Sequence, residues 1–407
     1  MKIGILLWDL SIQGGCQRQA VELARQLRAM GDEVTLHAAY FSGDVYPDIL
    51  EGIPVRCLFN RPSGIRISSR KILGIPVSSL ELTFREIRFS DAIGRLVDDD
   101  LDVLNVHEMF AFVGAAKWKK RTGKPVLWMM NEFPGALVGS RIFRSGFLNR
   151  LYDTLNGIRW VGTWYERAIR TFDGVAVLDD NISGKLLVET LGIAPVTVRS
   201  GLDLAKFSCL DRPRWTGGRR FEILSNAIIF PHRRLEDIAE ALRMLKAEEL
   251  EFRWRHVGTG DRHPEYRDAV IRKVREAGIS GNTEFLGSVS DEELVRLYRS
   301  SDAFLFPSSP QTWGLVVFEA MACGTPVVVS RGAGASEVLT DGEDSLLVDP
   351  SRPDRIAGAI RSLAASPPRW EQLSGAGRDF VEKNVTWEIY ARRMRGEFLR
   401  ILESGSR

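Results

Sequence analysis

Short apolar runs of strand length alternate with segments of helical spacing along almost the whole chain, and this alternation restricts the possible folds more than any other feature. Lys2–Trp8 reads as a strand, Gln17–Met30 as an amphipathic helix, and Glu33–Ala38, Leu101–His107, Val126–Met130 and Gly174–Leu178 as further strands, with Pro195–Arg199 weaker. A second series runs through Phe221–Leu224, Phe252–Val257, Thr283–Leu286, Ala303–Pro307 and Pro326–Ser330. Strands separated by helices imply βαβ units with right-handed crossovers, hence parallel sheets covered by helices on both faces. The expected class is α/β, with doubly wound sheets.

At 407 residues the chain exceeds one ordinary core, so two domains are expected. Periodicity breaks over Lys206–Arg220, where Arg, Pro, Trp and Gly-Gly cluster, and the linker is placed there. The expected division is 1–207, 208–385, and a final helix over 386–407 that packs back on the first domain. A net charge of +2 excludes a general nucleic-acid binder, and no RNA or DNA module pattern appears. Cys16, Cys57, Cys209 and Cys323 lie far apart without metal-ligand spacing, which points to reduced thiols in a cytoplasmic protein and away from zinc. The opening MKIGILLWDL suits a first buried strand better than a leader, and no run approaches the ~20 apolar residues of a membrane span.

Open parallel sheets bind ligands at the carboxyl ends of their strands. Those ends carry Gly14-Gly15, His107-Glu108, Asn131-Glu132, Leu178-Asp179-Asp180, Gly258-Thr259-Gly260 and Ser308-Ser309. The stretch PQTWGLVVFEAMACGTPVVVS, Pro310–Ser330, is the most specific of them. A helix starting near Trp313-Gly314 offers unpaired backbone N–H groups to an anion such as a diphosphate. Glu319, about 7.5 Å further along the axis, suits the paired hydroxyls of a ribose, and Gln311 suits a second polyol. A carboxylate in so apolar a helix requires a ligand or a structural partner. Laid along the helix start, these groups match a nucleotide-sugar.

The same stretch resembles the E-x7-E region of the retaining family-4 glycosyltransferases of GT-B fold, with Gln311 in place of the first Glu and Glu319-Ala320-Met321-Ala322-Cys323-Gly324-Thr325-Pro326-Val327 as its second half. IQGGCQRQAVELARQLRAMGDEVTLH, FLGSVSDEELVRLYRSSDAFLFPS and DGEDSLLVDP resemble further blocks of that family, in order. The resemblance implies two Rossmann-like domains facing a central cleft, the first for the acceptor and the second for the nucleotide-sugar. It assigns the ribose to Glu319, the donor sugar to Gln311 and His107, and the diphosphate or sugar to backbone N–H groups of Trp313, Gly314 and Leu315. Where the family carries an Arg and a Lys after the first strand of the second domain, this chain has Ile228 and Arg233. Arg233 is therefore expected to stabilise phosphate charge in the transition state, with Arg234 and His232 beside it. Gly14 and Gly15 are expected near the diphosphate or acceptor, Gly258, Gly260 and Leu286 near the base, and Glu337 in another family loop.

No metal or cofactor is expected, the nucleotide-sugar being a substrate, UDP- or GDP-linked. Asp98-Asp99-Asp100 precedes a strand, at the wrong edge of the sheet for a DxD metal site. On the acceptor side, Arg61, Arg66, Arg70 and Lys71 lie among Ile and Leu. A second basic, greasy segment carries Arg141, Arg144, Arg150, Arg159, Arg167 and Arg170, with Leu148, Leu151, Leu155 and Ile158 at helical spacing beside Trp160 and Trp164. Such surfaces suit an anionic membrane or a lipid-diphosphate acceptor. An ordinary core-facing helix with an Arg-rich solvent side explains them equally well.

The expected function is hexose transfer, with retention, to a hydroxyl of a glycan or lipid-linked acceptor in cell-surface polysaccharide or glycolipid synthesis, in the cytoplasm or peripherally at the inner membrane face. Two rivals stand: a partner subunit that binds nucleotide-sugar without turnover, suggested by Gln311 and Ile228, and a GT-B nucleotide-sugar epimerase. A nicotinamide dehydrogenase is disfavoured, because the first turn offers Gly14-Gly15 and no G-x-G-x-x-G.

Overall fold

The computed structural model describes residues 1–60, 71–72, 75–76, 89–131, 158–209 and 213–405. Most of the two basic acceptor-side segments named above lies outside them. The chain forms two compact units: unit 1 is Met1–Leu178, Ser183–Arg199 and Trp387–Arg407, and unit 2 is Asp179–Ile182 and Ser200–Thr386.

Unit 1 holds a seven-stranded sheet. Its strands are β1 (Lys2–Leu10), β2 (Glu33–Phe41), β3 (Val55–Asn60), β4 (Val103–Val106), β5 (Val126–Met130), β6 (Gly174–Val177) and β7 (Val196–Thr197), in the order β3-β2-β1-β4-β5-β6-β7. Every pair is parallel. Ile3, Ile5, Leu6 and Leu7 are all fully buried, as a central strand with both faces covered requires. Helix α1 (Gly15–Ala29) follows β1 and buries Ala20, Val21, Leu23, Ala24 and Leu27. Helix α2 (Phe112–Thr122) places Phe112 edge-on to Trp128 of β5 at 4.8 Å.

Unit 2 holds a six-stranded sheet. Its strands are β8 (Phe221–Asn226), β9 (Phe252–Val257), β10 (Thr283–Gly287), β11 (Ala303–Phe306), β12 (Val327–Ser330) and β13 (Leu346–Val348), in the order β10-β9-β8-β11-β12-β13, again all parallel. Helices α3 (Leu235–Ala247), α4 (Asp291–Arg299) and α5 (Leu315–Ala322) connect them. The final helix, α6 (Trp387–Gly405), belongs to unit 1, where Arg395 pairs with Asp32, the carboxylate that also holds the N-terminal amine.

In each sheet the strand order reverses once, between β1 and β4 and between β8 and β11. These are the switch points at which doubly wound sheets leave a crevice for ligand. Within the segment read as the linker, Trp215 packs in unit 2. Trp215 is 5% exposed, stands edge-on to Phe221 at 5.0 Å and donates its indole N–H to the Ala364 carbonyl.

Candidate functional site

In unit 2 the loops after β8 and β11 meet beside the switch point. The Ser309 amide donates to the His232 carbonyl at 2.9 Å, and Arg233 Nη1 donates to Gln311 Oε1 at 2.5 Å. A guanidinium can only donate, so it fixes which end of the Gln311 amide faces it. The carbonyl oxygen is taken, and the NH₂ group is left as the end that can donate to a ligand. Arg233 is mostly buried, which pushes its pKa below the ordinary guanidinium value, and its buried Nε has no hydrogen-bond partner among the described residues. Ile228, at the position where the resembled family has Arg, is 40% exposed.

Five residues after Phe306 the chain reaches Gln311, and α5 begins at Leu315 with Gly314 as its N-cap. Gly314 lies at φ +81, in the left-handed region, and a Cβ there would stand 2.7 Å from Cε1 of Phe306. Among the described residues no side chain caps this end, so the first-turn amides of α5 keep their polarity for an external acceptor. The Trp313 side chain points elsewhere: it is buried and stacks on Phe318 at 4.5 Å, so only its backbone is suited to ligand. Glu319, one turn into α5, is half-buried and has a structural partner, since the Tyr298 hydroxyl donates to Oε2 at 2.8 Å. Tyr298 was not singled out from the sequence, where it reads as an ordinary buried aromatic of α4.

Other expected ligands have structural duties. Arg234, at φ +54, donates through Nε to Asp237 at 2.6 Å, and this carboxylate raises its pKa. That pair engages Nε, so a phosphate role for Arg234 falls to its Nη groups. His232 is half-buried, and desolvation followed by the adjacent Arg233 charge lowers its pKa. Gly258, φ +132, is dictated by its own chain, because a Cβ would fall 1.9 Å from the Ala227 carbonyl oxygen. At Gly260 a Cβ would meet Arg267 Cβ at 2.7 Å. Leu286 lies in β10, whose last residue, Gly287, accepts from the Gly258 amide at 2.8 Å. Glu337 accepts from the backbone amides of Asp180 and Asn181 at 3.0 and 2.8 Å, which fixes that short excursion into unit 2.

The switch point of unit 1 is more polar than its sequence suggested. His107, just past β4, is 3% exposed, and Nε2 lies 2.7 Å from Asn105 Oδ1. The Asn105 amide NH₂ donates to the Leu127 carbonyl, so its Oδ1 is the acceptor and Nε2 carries the proton. Nδ1 is then an unprotonated nitrogen with no hydrogen-bond partner among the described residues. Burial pushes this imidazole down to about 3, so it stays neutral. Glu108 reaches across to β1 and accepts from the amides of Trp8 at 2.5 Å and Asp9 at 2.9 Å, and from Gln17 Nε2 at 2.7 Å. Burial raises it to about 7 against those hydrogen bonds. The sequence placed Glu108 at a strand end and gave it no role. Gly14 is the extended N-cap of α1, and Gly15 its first residue.

The three aspartates at 98–100 are each in an ion pair: Asp98 with Arg56, Asp99 with Arg121, and Asp100 with Lys2. All four cysteines are free thiols. No described helix is long and apolar enough to cross a membrane.

The chain is similar to known proteins in sequence and in fold. Residues 216–380 match the family model "Glycosyl transferases group 1". The Mycobacterium leprae phosphatidyl-myo-inositol mannosyltransferase is 25% identical over 100% of this chain and 99% of its own length. A D-inositol 3-phosphate glycosyltransferase of Rhodococcus erythropolis is 37% identical, over 32% of this chain and 29% of its own length. Among solved structures, sucrose-phosphate synthase of Thermosynechococcus elongatus superposes with a TM-score of 0.72 at 18% identity, covering 99% of both chains. Anabaena HepE in complex with UDP and glucose gives 0.67 at 15% identity, covering 98% of this chain and 99% of its own. The chain therefore has the GT-B fold, and the stretch of its second unit from 216 to 380 is similar to group 1 glycosyl transferases.

Proposed function

We propose that this protein is a retaining glycosyltransferase, which moves a hexose from a nucleotide-sugar to a hydroxyl of a glycan or lipid-linked acceptor. The observation that carries the reading is the corner built at the unit-2 switch point. There Arg233 and Gln311 lock two loops together next to the uncapped start of α5, and Glu319 stands one turn along that helix. Cation, helix amides and carboxylate are three different recognition elements, and a sugar linked to a nucleoside diphosphate has a counterpart for each.

In this reading Glu319 grips the ribose hydroxyls, the amides of Gly314 and Leu315 meet the diphosphate or sugar, and Arg233 offsets the negative charge that grows on the departing diphosphate. Gln311 donates its NH₂ to an oxygen of the sugar. The leaving diphosphate takes the acceptor proton, so no dedicated base is assigned. His107 stays neutral, so it is given no duty as a base. A nucleotide donor is supported by the HepE complex with UDP, and a lipid-linked acceptor by the full-length relative named for phosphatidyl-myo-inositol. Lys120 of α2, with Arg167 and half-exposed Trp164, suits an anionic lipid surface, while Lys117, Lys119 and Arg121 pair with Asp91, Asp173 and Asp99.

The experiment incubates the full chain with UDP- and GDP-hexoses, with and without lipid extract, and follows nucleoside diphosphate release and glycoside formation. Release coupled to a new glycoside supports the proposal. Binding without release identifies a silent partner subunit, and an isomerised nucleotide-sugar formed without acceptor identifies an epimerase; either result rejects transfer.

A further inference from the structure

Three elements of unit 2 converge on one buried phenol. Asn226 ends β8, Tyr298 sits in α4, and Glu319 sits in α5. Asn226 Nδ2 donates to the Tyr298 oxygen at 3.0 Å, and that oxygen donates to Glu319 Oε2 at 2.8 Å. The direction of the chain is fixed by chemistry, because an amide NH₂ only donates and a carboxylate only accepts. The phenol proton therefore lies on the Glu319 side, and the donation from Asn226 polarises it further.

The phenol itself has little freedom. Tyr298 is 0% exposed, its ring meets Phe304 at 5.5 Å and Phe207 at 6.2 Å, and its carbonyl accepts from Thr325 Oγ1 at 2.6 Å. Burial, and next the Glu319 charge, hold its pKa well above the ordinary phenol value, so it remains a donor. Glu319, by contrast, has a flexible side chain at a half-buried position. A carboxylate must be presented in one orientation to grip two vicinal hydroxyls.

We propose that Tyr298, fixed by Asn226, is the positioning residue that orients the Glu319 carboxylate toward the ribose of a bound nucleotide. This inference rests on the donor-site reading above. It makes the phenol the source of discrimination between ribose and 2′-deoxyribose, although the phenol acts through Glu319 and touches no ligand.

The test measures dissociation constants of UDP, GDP and their 2′-deoxy forms by titration calorimetry on the full chain. The variants are wild type, Tyr298→Phe, Asn226→Ala, Glu319→Ala and the Tyr298→Phe/Glu319→Ala pair. Wild type is expected to prefer the ribonucleotide by about tenfold or more, the scale of hydrogen bonds to a charged group. Tyr298→Phe keeps the ring and should bring the ratio close to one, with Asn226→Ala reducing it partly. Glu319→Ala should abolish the ratio, and adding Tyr298→Phe should then change nothing more. An unchanged ratio in Tyr298→Phe overturns the positioning role and leaves the donor site standing. If that variant does not fold, an unchanged ratio in Asn226→Ala serves the same purpose. No ribose preference in wild type overturns the Glu319 reading itself, and this inference with it.

Discussion

Glu319 stands among Val316, Val317, Phe318, Ala320 and Met321, and a carboxylate there has to be met by polar atoms. The sequence showed that need. It did not show the partner, because Tyr298 is distant along the chain and looks like any core aromatic of an amphipathic helix. The Arg233–Gln311 contact was hidden for the same reason, although each residue was identified by itself. Glu108 was missed because nothing in a single sequence reveals that a strand-end carboxylate will turn inward onto the amides of β1. Replacing Arg233 with Ala should lower turnover about 10²–10³-fold, in line with loss of one preorganised donor to developing charge, while donor KM changes far less. Steady-state kinetics on the best donor checks this, and an equal fall in affinity and turnover assigns Arg233 to ground-state binding.

At the scale of elements, the central parallel strands were legible because both faces are buried and their apolar runs are continuous. Two edge strands were not. β3, VRCLFN, carries Arg56 and is mostly half-exposed or exposed, and β13 is three residues long. An edge strand has one neighbour and a weaker pattern. The start of α5 was located correctly at Trp313-Gly314, and the structure gives the physical reason: only glycine tolerates φ +81 beside the Phe306 ring. Gly314→Ala should cost about 1–2 kcal/mol in left-handed backbone alone, with the ring contact added. For a unit of this size that backbone cost lowers Tm by roughly 2–8 °C. Thermal melts check it, and an unchanged Tm shows that the turn relaxes freely.

For the whole molecule, the two-unit α/β organisation followed from the alternation of strands and helices. Buried titratable groups set its acid response. Burial lowers His107 to about 3, and His37 and His256 each to about 4, while Glu108 is raised to about 7. Between pH 6.5 and 4.5 the unfolded chain protonates each histidine and the folded one does not, so each lowers stability as pH falls. Glu108 works oppositely, since its folded form holds a proton that the unfolded form releases. In unit 1 two histidines outweigh one carboxyl, so unfolding takes up protons, and in unit 2 buried His256 and half-buried His232 both take up protons. Either unit should lose stability as pH falls through this window, by on the order of 1 kcal/mol per pH unit. Denaturant melts between pH 6.5 and 5 should show that slope, and stability flat or rising with acid contradicts the buried neutral histidines.

The claim at the centre is that Glu319 and the start of α5 hold a sugar nucleotide. Its most direct measurement is titration of the best-bound UDP- or GDP-sugar into wild type and Glu319→Ala, with circular dichroism and Tm confirming that both are folded. The account predicts an affinity loss of roughly 10- to 150-fold, from hydrogen bonds to a charged group worth about 1.5–3 kcal/mol. Equal affinity in the two folded proteins contradicts it.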